Sequence, residues 1–114
     1  MTHDIRELLE LAAKACGYEI QWDHFTNLPM MLTDSGADVR TWAPHIDDGD
    51  GARMEAQLAI SLHIADGAVY ASCRTASGTL MTCEKRADHN GNRQAARRMA
   101  SLRVAAELGR RMKA

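Results

Sequence analysis

The sequence predicts a small α+β domain in which a mainly antiparallel sheet has helices packed on one face. Three observations predict this class. Both ends of the chain have apolar residues at helical spacing, the middle alternates apolar and polar residues, and turn residues separate the segments. The predicted order is α-β-β-α-β-β-β-α. A length of 114 residues predicts a single domain over residues 1–114.

A first helix is predicted from Asp4 to Cys16. Its apolar residues recur every three or four positions, as on one face of a helix. Asp4 followed by Glu7 is typical of a capping box. Gly17 can end the helix because glycine readily adopts the left-handed conformation that such an end requires.

Two short extended segments are predicted next, within Glu19–Phe25 and Leu28–Thr33. Because Pro29 has no N–H to donate, the second segment is either an edge strand or begins at this residue. Residues 34–38 have the composition of a turn. Val39–Trp42 is a candidate for a further short strand.

The second helix is predicted from Ala52 to about Ala59, after the acidic loop Asp47–Gly51. Carboxylates at a helix start accept hydrogen bonds from free N–H groups and suit the helix dipole. A calcium loop is the rival interpretation, and it fails. With Gly51 as its sixth residue, the pattern would require ligands at Ile46 and Gln57, which carry no carboxylate.

A three-stranded meander is predicted over Leu58–Glu84. Asp66-Gly67 is typical of a two-residue hairpin turn. The resulting pairs would form one buried face: Ile64 with Val69, Leu62 with Ala71, and Ile60 with Cys73. The opposite face would carry Ser61, His63, Tyr70, Ser72 and Arg74, with His63 directly across from Tyr70.

The second turn of the meander, near Ser77-Gly78, leaves two registers open. A two-residue turn would pair Cys73 with Thr82. A three-residue turn would pair Cys73 with Cys83, and it is preferred because it buries more apolar surface.

A polar connector, Lys85–Asn92, leads into a last helix from Arg93 towards Met112, with Asn92 as its N-cap. One stripe of this helix contains Ala95, Met99, Leu102, Ala106 and Gly109. A second apolar patch contains Val104, Ala105, Leu108 and Met112. This patch either covers a further part of the core or is exposed for a partner, which includes a second copy of the chain.

The net charge of −1 conceals an uneven distribution of charge along the chain. Residues 85–114 contain nine Lys and Arg against two acids, a net +7, whereas residues 1–84 contain five against thirteen, a net −8. Such a division is typical of a basic surface for nucleic acid or an acidic partner. The alternative is internal neutralisation, with a basic helix lying on an acidic body.

Composition and spacing argue against several classes. No apolar run approaches the roughly 20 residues that span a bilayer, and no signal peptide is visible. The three cysteines therefore predict a cytoplasmic protein with free thiols. The His and Cys spacing matches no common zinc pattern, and no phosphate-binding glycine loop or nucleophile motif is present. No cofactor, metal ion or enzymatic activity is expected.

Two functions remain, and the first is favoured. A protein-binding surface would use amphipathic residues of the polar sheet face and the second helix patch: His63, Tyr70, Arg74, Val104, Leu108 and Met112. A nucleic-acid surface would use the arginines of the last helix: Arg93, Arg97, Arg98, Arg110 and Arg111. These arginines are spread around the helix and no stacking aromatics lie among them.

Three segments carry a resemblance to a known group: IRELLELAAKACGYE, WAPHIDDGDGARMEAQLAISL and RRMASLRVAAELGRRM. Together the chain resembles small uncharacterised proteins of tailed phages and prophages, and more distantly the phage NinX-type proteins. Gly51 is an addition to the pattern, and the segment between Phe25 and Arg40 has no counterpart in it. The resemblance implies a phage or prophage accessory protein in a bacterial host cytoplasm. With no catalytic motif in the chain, the expected partner is a host or phage protein. The resemblance implies no catalytic residues.

Overall fold

The computed structural model describes residues 4–32 and 39–112 and confirms the α+β class and the predicted order, and the candidate strand at Val39 is present as a third strand before the second helix. Within these residues three α-helices are formed by Ile5–Cys16 (α1), Asp48–Leu58 (α2) and Arg93–Arg111 (α3), and a short 3-10 helix is formed by Arg86–His89. Six strands form two antiparallel sheets, each with its strands in chain order. The first sheet contains β1 (Ile20–Trp22), β2 (Pro29–Leu32) and β3 (Val39–Thr41), and the second contains β4 (Ser61–Ile64), β5 (Ala68–Thr75) and β6 (Gly78–Lys85).

The first part of the chain follows the predictions closely. Asp4 caps α1 by accepting a hydrogen bond from the Arg6 N–H, and Gly17 ends the helix with φ of +76°. β2 lies in the centre of its sheet and starts at Pro29, so the strand-start alternative is correct and the edge-strand alternative is wrong. The predicted turn at residues 34–38 lies outside the described residues.

α2 begins four residues earlier than the sequence predicts. Asp47 is the N-cap and accepts a hydrogen bond from the Asp50 N–H at 2.9 Å, so the acidic stretch forms the first helical turn. Two glycines in that turn disfavour a helix by about 1 kcal/mol each. The buried Asp50 carboxylate offsets this cost, since it accepts hydrogen bonds from the Ala43 N–H and from the Arg40 and Arg53 side chains.

Burial at Asp50 raises the pKa of its carboxyl, but these three donors outweigh that effect and hold the pKa below its ordinary value. The carboxylate is thus ionised in the folded protein. Asp50 ties the loop before α2 to the helix itself, next to Trp42, which is buried edge-on against Tyr18.

The first hairpin of the second sheet has the predicted register, with His63 opposite Tyr70, Leu62 opposite Ala71 and Ile64 opposite Val69. The predicted buried face is correct except at its end, where Ile64 remains 48% exposed.

The second hairpin has neither of the two expected registers. Its turn is Ala76-Ser77, which pairs Thr75 with Gly78 and Cys73 with Leu80. Choosing the register that buries the most apolar surface gives the wrong result here, because the polar residues on the inner face of β6 form hydrogen bonds and ion pairs. Thr82 donates to the Ala100 carbonyl at 2.8 Å, and Glu84 lies 2.8 Å from His89 and 2.9 Å from Arg103.

This register places Cys83 on the exposed outer face, while Cys16 and Cys73 are buried. Burial raises the pKa of the Cys16 thiol to about 11, which suppresses its thiolate further. In the native protein, we expect a thiol reagent such as 5,5′-dithiobis(2-nitrobenzoate) to label Cys83 rapidly and the other two cysteines only after unfolding. Slow labelling of Cys83, checked against a Cys83→Ser variant, would contradict the observed register.

The core is formed where α1 and α3 cross and where α3 packs on the inner face of the second sheet. The small residues of α3 permit both contacts at once. Gly109 is the extreme case, since an added Cβ there would lie 1.9 Å from the Leu11 carbonyl oxygen of α1.

Candidate protein-binding face

The outer face of the β4-β5-β6 sheet brings together the predicted sheet residues. Alternation along each strand directs His63, Tyr70 and Arg74 to the side opposite α3, where His63 and Arg74 are exposed and Tyr70 is partly exposed. The His63 and Tyr70 rings lie 6.2 Å apart. Within the described chain, no helix packs over these three side chains.

The revised register of β6 adds two residues to this face. Cys83 lies directly across from Tyr70, and Met81 lies across from Ser72 with 63% of its surface exposed. The sequence predicts both as core residues, and no signal in β6 could have placed them correctly, because the partners of Thr82 and Glu84 are supplied by α3. We call the resulting surface the outer sheet face; its residues are His63, Tyr70, Ser72, Arg74, Met81 and Cys83.

Cys83 and His63 share this face but lie on opposite sides of Tyr70, two strand spacings or about 10 Å apart. Hydrogen-bonded activation of a thiol by a histidine requires about 3 Å. The arrangement presents an amphipathic surface rather than a paired nucleophile and base.

The predicted patch on α3 is wrong in part. Val104 is 0% exposed and Ala105 is equally buried, so both belong to the core. Leu108 is partly buried against the core, and Met112, just after the helix, is 46% exposed. Of the alternatives left open by the sequence, the structure therefore favours the one in which this patch covers the core.

The arginines of α3 are largely engaged by acids of the same chain. Arg97 lies 2.6 Å from Glu55, Arg98 lies 2.9 Å from Asp48, and Arg103 lies 2.9 Å from Glu84. Arg110 and Arg111 lie 2.7 Å and 3.3 Å from Glu107. Arg97, Arg98 and Arg103 thus meet acids of residues 1–84, whereas Arg110 and Arg111 are paired with an acid of α3 itself.

Glu55 is the most buried of these acids, and its two oxygens have separate partners. Oε1 accepts from Arg97, and Oε2 accepts from the hydroxyl of Ser101, which has no solvent exposure. This cluster joins α2 to α3 across the core. Since removal of Glu55 would leave Arg97 without its closest carboxylate and Ser101 without its acceptor, Glu55 is a strong structural connection.

His45 lies beside the amino-terminal half of α3, where its carbonyl accepts from Arg98 at 3.0 Å. Burial lowers the pKa of its imidazole below 6.5, and the nearby Arg98 charge lowers it further. In the unfolded chain His45 becomes protonated near pH 6.5, whereas in the folded chain it stays neutral until a lower pH. Protonation therefore favours the unfolded state, and the free energy of unfolding decreases as pH falls below 6.5.

A His45→Gln variant tests this pH dependence. Wild-type stability should fall more steeply than that of the variant between pH 7 and pH 5 in urea unfolding. Comparison of the two proteins removes the contribution of the other histidines, which they share. A stability difference that does not change with pH would contradict the assignment.

Comparison of the chain with protein-family models, curated proteins and solved structures found no match. Among residues 4–32 and 39–112, no three His, Cys, Asp or Glu side chains converge as a metal ion would require. None of the helices in the described ranges is long and apolar enough to cross a membrane.

Proposed function

We propose that this protein is a non-enzymatic binding module that recognises another protein through its outer sheet face. One observation carries the proposal. The face combines Tyr70, Arg74 and the exposed Met81 on a rigid antiparallel sheet, and these three residue types are enriched where proteins meet. The proposed setting is that of a phage or prophage accessory protein in a bacterial cytoplasm, and it rests on the three resembling sequence segments.

Affinity capture from a bacterial lysate tests this proposal when it is made with matched variants. A Tyr70→Ser, His63→Ser double variant removes the aromatic part of the face without touching the core. Phe25→Ser is the control, since Phe25 is a large apolar residue, 98% exposed, in the turn between β1 and β2. The wild type and the control should recover the same partner in stoichiometric amount, and the double variant about tenfold less.

Two outcomes would count against the proposal. If the wild type recovers no partner in stoichiometric amount, the proposal that this protein binds another protein is wrong. Equal recovery by the double variant would show that the partner binds elsewhere on the chain.

Nucleic-acid binding is the second candidate, favoured by the exposed arginines at the two ends of α3. Arg93 is exposed and makes no ion pair within the described residues, and the Arg110 and Arg111 side chains are 40% and 51% exposed. Because the helix rises about 1.5 Å per residue, Arg93 lies roughly 26 Å from the Arg110–Arg111 pair along the helix axis. Internal ion pairs occupy Arg97 and Arg98 between them.

A charge-reversal variant at Arg93, Arg110 and Arg111 tests this candidate while leaving the Glu55 cluster intact. Binding of labelled DNA or RNA that weakens with salt and disappears in the variant would favour nucleic acid over protein as the ligand. Flat titrations of the wild type at low salt would eliminate it.

A further inference from the structure

β6 is an edge strand with one side unpaired. It bonds to β5 along its whole length, and no other strand of the described chain pairs with its other side. The Arg86 N–H donates to the Gly67 carbonyl at 2.9 Å, which continues the same register. Because ladder bonds alternate along an antiparallel strand, the even positions of β6 bond to β5. Its odd positions, Thr79 to Lys85, thus direct their N–H and C=O groups to the free side.

A groove of about 340 Å³ runs along this free edge. Leu80, Met81 and Thr82 all line it, and because consecutive residues point to opposite faces of a sheet, the groove reaches the edge of β6. The other wall is the carboxyl-terminal half of α3, and Leu8 of α1 contributes apolar surface. A groove between an edge strand and a helix is a geometry that binds extended peptides by strand addition.

The charges in the groove specify the occupant. Arg103, Arg110 and Arg111 line it together with a single acid, Glu107, so its lining side chains carry a net +2. Arg103 is paired with Glu84 at 2.9 Å, whereas Arg110 and Arg111 share the Glu107 carboxylate, with Glu7 3.6 Å from Arg110, and remain 40% and 51% exposed. Because Arg110 and Arg111 are exposed and share one carboxylate, their guanidinium groups can bind further carboxylates, which are their preferred partners.

A second copy of this chain fits the groove less well. Its own β6 carries one acid and one base, Glu84 and Lys85, and pairing of two β6 strands would bring two positively charged grooves together. Like charges in contact across an interface oppose association.

Building on the proposed protein-binding function, we propose that β6 binds an extended acidic peptide segment of the partner as a fourth strand of the sheet. The peptide backbone pairs with the odd positions of β6. Its carboxylates meet Arg110 and Arg111, and an apolar side chain packs against Leu80 and Met81. Since Met81 belongs both to this groove and to the outer sheet face, the added strand extends the surface proposed for recognition.

Fluorescence anisotropy with defined peptides tests the inference directly. The probe is a fluorescein-labelled decapeptide of alternating Glu and Val, and its charge control replaces every Glu by Lys. We expect the acidic peptide to bind at least about tenfold more tightly, a difference of about 1.4 kcal/mol. Two further acidic peptides are N-methylated on alternate amides, the first at its odd-numbered and the second at its even-numbered residues. The peptide whose methylated amides would face β6 should bind about tenfold more weakly than the unmethylated peptide. The other methylated peptide should keep its affinity within about twofold.

A matched pair of protein variants examines the strand itself. Met81→Pro removes an N–H that faces the free side and no bond to β5, so it should abolish binding, while Met81→Ala keeps that N–H and should weaken binding far less. If Met81→Pro does not fold, the two N-methylated peptides decide the question, because they leave the protein unchanged.

The inference is overturned by no binding of the acidic peptide at millimolar concentration, by equal binding of the Lys peptide, or by equal affinities of the two methylated peptides. It is also overturned by a dimer that Met81→Pro dissociates, since a second copy would then occupy the edge. If the acidic peptide does not bind but capture of a partner still requires Tyr70 and His63, the inference is wrong and the proposed function is retained. Peptide binding that succeeds while capture finds no partner overturns the proposed function instead.

Discussion

Replacement of Gly109 by alanine should destabilise the protein by about 3 kcal/mol, the upper part of the usual range for overpacking a core. Alanine is intrinsically the better helix residue by about 1 kcal/mol, so propensity alone predicts the opposite sign. The clash decides the sign. The new Cβ would lie 1.9 Å from the Leu11 carbonyl oxygen and 2.7 Å from its carbonyl carbon. Backbone cannot move aside as a flexible side chain can, so α1 and α3 must separate.

Urea unfolding followed by circular dichroism measures this change, and Gly67→Ala is the matched control. Nothing lies within 4 Å of the Cβ that would be added at Gly67, in the turn of the first hairpin. The control should lie within about 0.5 kcal/mol of wild type, as for most surface substitutions. A Gly109→Ala protein as stable as the control would show that the two helices do not approach as closely as the structure indicates.

Replacement of Glu55 by alanine should cost about 3 to 5 kcal/mol, as expected when one partner of a buried ion pair is removed. The change leaves the Arg97 guanidinium largely buried without its closest carboxylate, and the Ser101 hydroxyl wholly buried without its acceptor. Ser101→Ala should cost only about 1 kcal/mol, because it removes a single neutral group and leaves the Glu55–Arg97 pair intact.

Glu107→Ala is the control for Glu55, since Glu107 also faces arginines but is about one third exposed. Exposed ion pairs contribute about 0–1 kcal/mol, so this variant should remain close to wild type in thermal unfolding. Equal losses at the two glutamates would contradict a buried connection between α2 and α3, and would imply that the charges of α3 act only at the surface.

The sequence predicts the fold class, the ends of α1 and α3 and the register of the first hairpin, because strong local signals determine each of them. Gly17 and Asn92 supply the cap residues, and Asp66-Gly67 determines the first turn. The errors occur where tertiary partners override local preference. The start of α2 depends on donors that reach Asp50 from residues as far away as Arg40.

The second hairpin shows the same limitation at the candidate site. Thr82 and Glu84 face inward because α3 supplies the Ala100 carbonyl and Arg103, and nothing in β6 itself reveals those partners. The sequence therefore identifies His63, Tyr70 and Arg74 as one face but misses Met81 and Cys83. The arginines of α3 follow the same rule, since only the folded chain shows that Asp48 and Glu55 neutralise Arg97 and Arg98.

The central claim is that this chain acts through its second sheet while most of the charge on α3 is used internally. Amide hydrogen exchange of the protein bound to its captured partner tests that claim most directly. We predict added protection within residues 61–85, including the odd-numbered amides of β6, and unchanged exchange at residues 93–98. Added protection confined to α3, with the sheet exchanging as in the free protein, would contradict it.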